Sequence, residues 1–243
     1  MRKSALVMST LLLAALLFSL AGCKGVVGNG DVVTREVTLK RAVTGVKNAG
    51  SFDIVIDPSL TGKAVIEGES NILDLMEADQ DATGVFRVAM KPDIAVISSK
   101  GVTVRLPKVE GGAFEIAGSG GISLAGNTPL KGDTFELKIA GSGDIDLAIE
   151  AQQLKCDILG SGNVTVKGTA KSGDVEIAGS GNYNAADCKT EGTVVRILGS
   201  GNAQVNASDE LECNIYGSGN VLYRGNPPKL KINSNGSGQV NTF

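Results

Sequence analysis

Asp144 and Asp146 stand two residues apart, and such a carboxylate pair could bind calcium or share acid–base work. Either role needs a further carboxylate nearby, and none recurs at the matching place in the next stretch of sequence. Cys156, Cys188 and Cys213 could form a disulfide or stay reduced as small buried hydrophobes. The chain has no histidine, which removes Ser–His and Cys–His nucleophile pairs, imidazole bases and His-ligated zinc or iron. With no tryptophan and 4% aromatics, little is available for an aromatic sugar-stacking platform. A third candidate is "LGSGNVTV" (159–166). A phosphate loop would need a lysine and a helix start after the glycines, and neither follows. Repeat-in-toxin calcium loops use a nine-residue period with a regular aspartate, which is also missing.

The glycine motif is a repeat. Gly-Ser-Gly begins at Gly118, Gly141, Gly160, Gly179, Gly199, Gly217 and Gly236, a period close to 20. Aligned on that glycine, the flanks form columns. Two residues before it stand Ile116, Ile139, Ile158, Ile177, Ile197, Ile215 and Ser234. Four before it stand Phe114, Leu137, Cys156, Val175, Val195, Cys213 and Ile232. Four after it stand Ile122, Ile145, Val164, Tyr183, Ala203, Val221 and Val240. Alternation of period two puts each column on one face of a strand. One pair of strands has nothing to bury that face against, so the copies must stack at ~4.8 Å per coil. The predicted fold is therefore all-β. It is a parallel, right-handed β-helix with about seven regular coils over 111–243, ~30–35 Å long. The glycines make its corners, and stacked serines could bond one another. The residue after each motif is Gly121, Asp144, Asn163, Asn182, Asn202, Asn220 or Gln239, and stacked amides can hydrogen-bond from coil to coil.

Before the repeats, 35–110 reads as an irregular β region that caps the stack, interrupted by one short helix at 70–78 with Ser70 or Asn71 as its cap. At the far end Ser234 and Thr242 replace apolar positions, a polar coil that blunts an edge. Cys156 and Cys213 share a column three coils apart, ~14 Å, too far for a disulfide. Cys188 falls on a rear corner, and all three thiols are expected reduced and buried. The column three before the glycine, Glu115 to Asn233, carries mixed charges that could pair across coils.

Arg2 and Lys3 followed by the apolar run 5–20 read as a secretory signal peptide over 1–22. "LAGC" (20–23) resembles the lipobox of bacterial lipoproteins. That resemblance implies cleavage before Cys23 and acylation of it, hence an extracytoplasmic protein anchored to a bacterial membrane by lipid. Several acyl chains on one residue give stable anchoring. Residues 23–34 are then a lipidated cysteine and flexible tether. Once Arg2 and Lys3 are removed, 21 basic side chains face 26 acidic ones, which argues against nucleic acid as a partner.

"GSFDIVID", "AVIEGESNILDLMEA", "GVTVRLPKVEGGAFEIAGSGGISLAG" and the recurring "GSGN" resemble the family of putative auto-transporter adhesins with a head GIN domain. The resemblance covers 35–243. It implies an extracytoplasmic β-helix and defines no catalytic residue. The expected function is a non-enzymatic binding, adhesion or scaffolding surface for glycan or protein, monomeric and without cofactor. The competing class is a polysaccharide-cleaving enzyme of the lyase kind on the same architecture. The candidate ligand face is the outward pairs Asp144/Asp146, Asn163/Thr165, Asn182/Asn184 and Asn202/Gln204, with Asn220 beyond them. Its amides and hydroxyls repeat at strand spacing and suit hydroxyl-rich polymers.

Overall fold

The computed structural model describes residues 24–243. Its second half is a parallel β-solenoid of about seven turns. Each coil runs inward-outward-inward along one strand, turns at Gly-Ser-Gly and continues along the next. The N-terminal strands are β1 (Lys24–Val27), β2 (Val32–Thr38), β3 (Val43–Ala49), β4 (Asp53–Ile56) and β5 (Lys63–Glu69). A single helical turn, α1 (Ser70–Leu73), follows, then β6 (Met76–Gln80), β7 (Val85–Met90), β8 (Ile94–Ser98) and β9 (Thr103–Leu106). The regular coils comprise β10 (Val109–Gly118), β11 (Gly121–Leu124), β12 (Leu130–Gly141), β13 (Asp144–Gly160), β14 (Asn163–Gly179) and β15 (Asn182–Gly199). They finish with β16 (Asn202–Gly217), β17 (Val221–Arg224), β18 (Lys229–Gly236) and β19 (Val240–Thr242).

The coils stack in register on the corner glycine: Gly118 lies opposite Gly141, then Gly160, Gly179, Gly199, Gly217 and Gly236. The isoleucines from Ile116 to Ile215 and the column from Phe114 to Cys213 are all buried, forming one continuous core. Each fully buried isoleucine contributes ~1.5–3 kcal/mol from removal of apolar area from water. The two corner glycines serve different needs. Gly179 has φ +136°, a backbone conformation closed to side chains. Gly181 has an ordinary φ, but a Cβ there would meet Cγ2 of Ile158 at 2.6 Å and run into the Gly162 carbonyl. The first glycine turns the chain; the second lets one coil lie against another.

Two further rungs continue the stack upward. In β3, Val46 lies opposite Phe114 and Asn48 opposite Ile116, while β4 places Ile54 opposite Ile122. Above them β7 pairs with β3 and β9 with β4, all parallel. "GSFD" (50–53) thus occupies a corner with Phe52 where the other coils have glycine. Asn48 replaces the isoleucine, and its Nδ2 donates to the Phe52 carbonyl at 2.7 Å. The pairing then changes sense: β5 runs antiparallel to both β9 and β2, and β6 runs antiparallel to β7. Ile72 and Leu73 of α1 are buried here and join the same core as Leu39, Ile66 and Val104.

The N-terminal region departs from the sequence reading in two places. The segment expected as a tether contains β1, which pairs with β8 as a separate two-stranded parallel ribbon. The loop after β1 is tied by Glu69, whose carboxylate accepts the Gly30 amide at 2.6 Å and the Lys100 amide at 2.8 Å. These partners lie some 30 to 70 residues apart in sequence, so no local alternation marks them. The helix is one turn rather than 70–78, because Met76 already pairs with Met90 in a sheet. Neither Ser70 nor Asn71 caps it. The Ser70 hydroxyl accepts from Nδ2 of Asn29 at 2.9 Å, and Nδ2 of Asn71 donates to the Val27 carbonyl at 2.9 Å.

Two smaller expectations also change, and one holds. Among the described residues only Ser218 and Ser237 of the motif serines bond each other, at 3.1 Å. The column from Glu115 to Asn233 pairs across coils in part, through Asn233 to Asn214 at 2.8 Å and through Lys47, in register with Glu115. Lys138 and Arg196 turn to neighbouring columns. Lys47 meets Glu115 at 3.1 Å, Lys138 meets Glu136 on its own strand at 3.2 Å, and Arg196 meets Asp174 at 2.5 Å. Cys188 lies inside the core, opposite Gly168, buried as expected. It is free, like Cys156 and Cys213. Burial pushes the Cys156 thiol far up, Cys188 up to about 11 and Cys213 up to about 12.

Candidate binding face

The Gly-Ser-Gly corner sets the direction in which the following strand leaves, so the residue after it always points out beside the turn. Stacking aligns these side chains within hydrogen-bond reach. Nδ2 of Asn163 donates to Oδ1 of Asp144 at 2.8 Å, and Nδ2 of Asn182 to Oδ1 of Asn163 at 2.9 Å. Asn202 continues to Asn182 at 3.1 Å and Asn220 to Asn202 at 3.2 Å. Backbone amides join the ladder: that of Asn163 reaches Oδ1 of Asp144 at 3.0 Å, and that of Gln239 reaches Oδ1 of Asn220 at 3.0 Å. The first outward column is therefore structural.

The second outward column is different. Asp146, Thr165, Asn184, Gln204 and Leu222 follow one another in register. The side chains of Thr165 and Gln204 have no hydrogen-bond partner among the described residues, and Asn184 has only a long contact from the Ala186 amide, 3.4 Å. Polar groups in this column are consequently free to meet a ligand, alongside a neighbouring column whose geometry is fixed.

Both columns line a shallow open groove of about 650 Å³. Asn163, Thr165, Asn182, Asn184, Asn202, Gln204 and Asn220 all contribute to it, together with Leu222, Gln239 and Asn241. Asp144 and Asp146 lie outside it, and Asp144 is engaged by Asn163, so the carboxylate pair does not act as a unit. Among the described residues no group of three or more His, Cys, Asp or Glu could hold a metal ion. No helix among them is long and apolar enough to cross a membrane.

One surface feature escapes the sequence reading. On the strand entering the corner, the residue directly before the first glycine is exposed, and Leu159, Leu198 and Tyr216 occupy that position. They form an apolar stripe interrupted by Ala178, which lies opposite both leucines. The same alignment on glycine that reveals the core columns holds this signal, because the position lies between two inward ones and is nevertheless apolar.

The sequence profile of the family described as putative auto-transporter adhesin, head GIN domain, matches residues 42–227. The chain belongs to this family. Solved structures of similar fold include a putative adhesin from Bacteroides fragilis NCTC 9343. It is 19% identical with a TM-score of 0.81, the match covering 90% of this chain and 100% of that one. A putative lipid binding protein from Parabacteroides distasonis ATCC 8503 is 24% identical with a TM-score of 0.70, again covering 90% and 100%. A putative adhesin from Parabacteroides merdae ATCC 43184 is 20% identical with a TM-score of 0.61, covering 91% and 100%. At these identities the likeness establishes the fold of this head GIN chain. Among curated proteins none matches.

Proposed function

We propose that this head GIN protein is an extracytoplasmic, lipid-anchored and non-enzymatic binding protein, whose groove takes an extended hydroxyl-rich polymer of the glycan class. The observation that carries the reading is the pairing of a hydrogen-bonded amide column with a second column of unengaged amides and a hydroxyl. Such groups offer donors and acceptors without net charge, at a repeat of ~4.8 Å along the rod. Two of the solved neighbours are described as putative adhesins and one as a putative lipid binding protein, which accords with a binding role. Cys23 lies outside the described residues, and its acylation rests on the "LAGC" motif.

Thr165→Ala, Asn184→Ala and Gln204→Ala combined remove the second column and leave the ladder intact. Glycan-array binding should be lost with an unchanged melting temperature. Binding that survives in the triple variant overturns the reading of the groove, and a collapsed melting temperature returns the column to architecture. For the anchor, Cys23→Ala should release the protein from membranes. An unacylated N-terminal peptide from the wild type, seen by mass spectrometry, would remove that part.

A further inference from the structure

Among the described residues the β1–β8 ribbon is hydrogen-bonded to no other strand. It carries Val27, Val96 and Ile97, which are 59%, 37% and 70% exposed. An isolated two-stranded ribbon is marginally stable in water, and three large aliphatic side chains on one are an unusual surface for water to face. Below the ribbon lies a groove of about 540 Å³ at the Gly50–Phe52 corner, with Phe52, Ile72, Met90, Ile94 and Val102 among its lining residues. This groove, whose lining also includes Ser51 and Ser99, lies toward the opposite end of the stack from β18 and β19.

The ribbon is also where the chain enters the body. Lys24 is its first residue, with its amide held by the Asp93 carbonyl at 2.7 Å. Cys23 is one peptide unit earlier, and adjacent Cα atoms are ~3.8 Å apart. If Cys23 carries the acyl chains, as the anchor reading holds, no spacer separates lipid from fold. A bilayer must then begin within a few ångströms of β1, on the ribbon's apolar side chains.

We propose that the β1–β8 ribbon is the membrane-contact edge of the protein, with the most exposed side chains, Val27 and Ile97, seated in the lipid interface and the solenoid standing away from it. This rests on the acylation of Cys23 and adds to it a defined seat and orientation. Nitroxide spin labels test it on the full chain in membranes. Ile97→Cys carries the label at the ribbon, Leu198→Cys at an exposed apolar site on the body, and Ser234→Cys at the far end. The native Cys156, Cys188 and Cys213 are buried, with their thiols pushed up in pKa, and stay unlabelled.

The expected result is a several-fold higher ratio of oxygen to water-soluble nickel-chelate accessibility at 97 than at 198 and 234. Equal ratios at the three sites in a membrane-bound protein overturn the membrane seat while leaving the anchor standing. A wild-type chain that stays in the soluble fraction with an unacylated Cys23 overturns both.

Discussion

The two ends of the solenoid close the same core by different means. At the N-terminal end the strands change to antiparallel pairing, and Ile72 and Leu73 of α1 are buried as a plug in the same core as Ile66 and Val104. At the C-terminal end the stack simply becomes less apolar. Ser234 takes the isoleucine position, and its hydroxyl donates to the Gly238 carbonyl at 3.0 Å. Leu230 and Ile232 remain 43% and 44% exposed. That last coil is held mainly along its outside, by Asn233 to Asn214 at 2.8 Å, Lys231 to Glu212 at 3.1 Å, and the Arg224 guanidinium over the Phe243 ring. A stacked core needs a cover only where its hydrophobic columns continue. Where they fade, outside bonds suffice.

The largest effect is expected midway between the ends. Ile177→Asp puts a carboxylate between Ile158 and Ile197 with no partner, costing several kcal/mol or forcing it to stay protonated. Glu176→Gln, one residue away and outward, should stay within ~0.5 kcal/mol. Thermal melts compare them directly, and coincident midpoints would deny the inward column. Next comes the contrast itself. Ile72→Ala at the plug should cost ~2–4 kcal/mol in urea titrations, and Ile232→Ala at the other end ~1 kcal/mol or less. Equal losses would mean the two ends are covered alike.

A local effect follows at the plugged end. The backbone amides of Lys100 and Gly30 hold the Glu69 carboxyl below its ordinary range. Its contribution is complete above the unfolded-state value and is lost as pH falls through the lowered folded value. Protection factors at the Gly30 and Lys100 amides, taken against the intrinsic exchange rate at each pH, should therefore fall in acid, and Glu69→Gln should show the low protection already at neutral pH. Protection that is unchanged in Glu69→Gln would show that the tie is held by something else. The smallest change in stability, within ~0.5 kcal/mol, is expected for Ser234→Val. It extends the apolar column at the open end, so sedimentation should report concentration-dependent association through the bare edge. A variant that stays as dispersed as the wild type would show that Ser234 does not protect that end.

The regular coils were legible because each corner repeats the same local demand, a turning glycine and a close-packing one. From Ile116 to Ile215 the columns read directly from that register. The two upper rungs were hidden because Phe52 and Asn48 replace the marker residues, and because 91–102 separates β7 from β9. The ribbon and the antiparallel cap depend on partners remote in sequence, which periodicity does not carry. For the candidate face, the sequence brought Asn163 to Asn220 together but could not separate the bonded column from the free one. Side-chain partners decide that.

The amide ladder has one more property. Asp144 has no N–H to give, so it can only accept, and it sits at one terminus of the row. Asn163 must then turn its nitrogen toward Asp144 and its oxygen toward Asn182, and each later asparagine inherits that choice. A single carboxylate thus gives the whole row a polarity, with every bond dipole aligned toward the capped end. The two ways along the rod are chemically unlike, and a chain molecule laid in the groove meets a surface with a head and a tail.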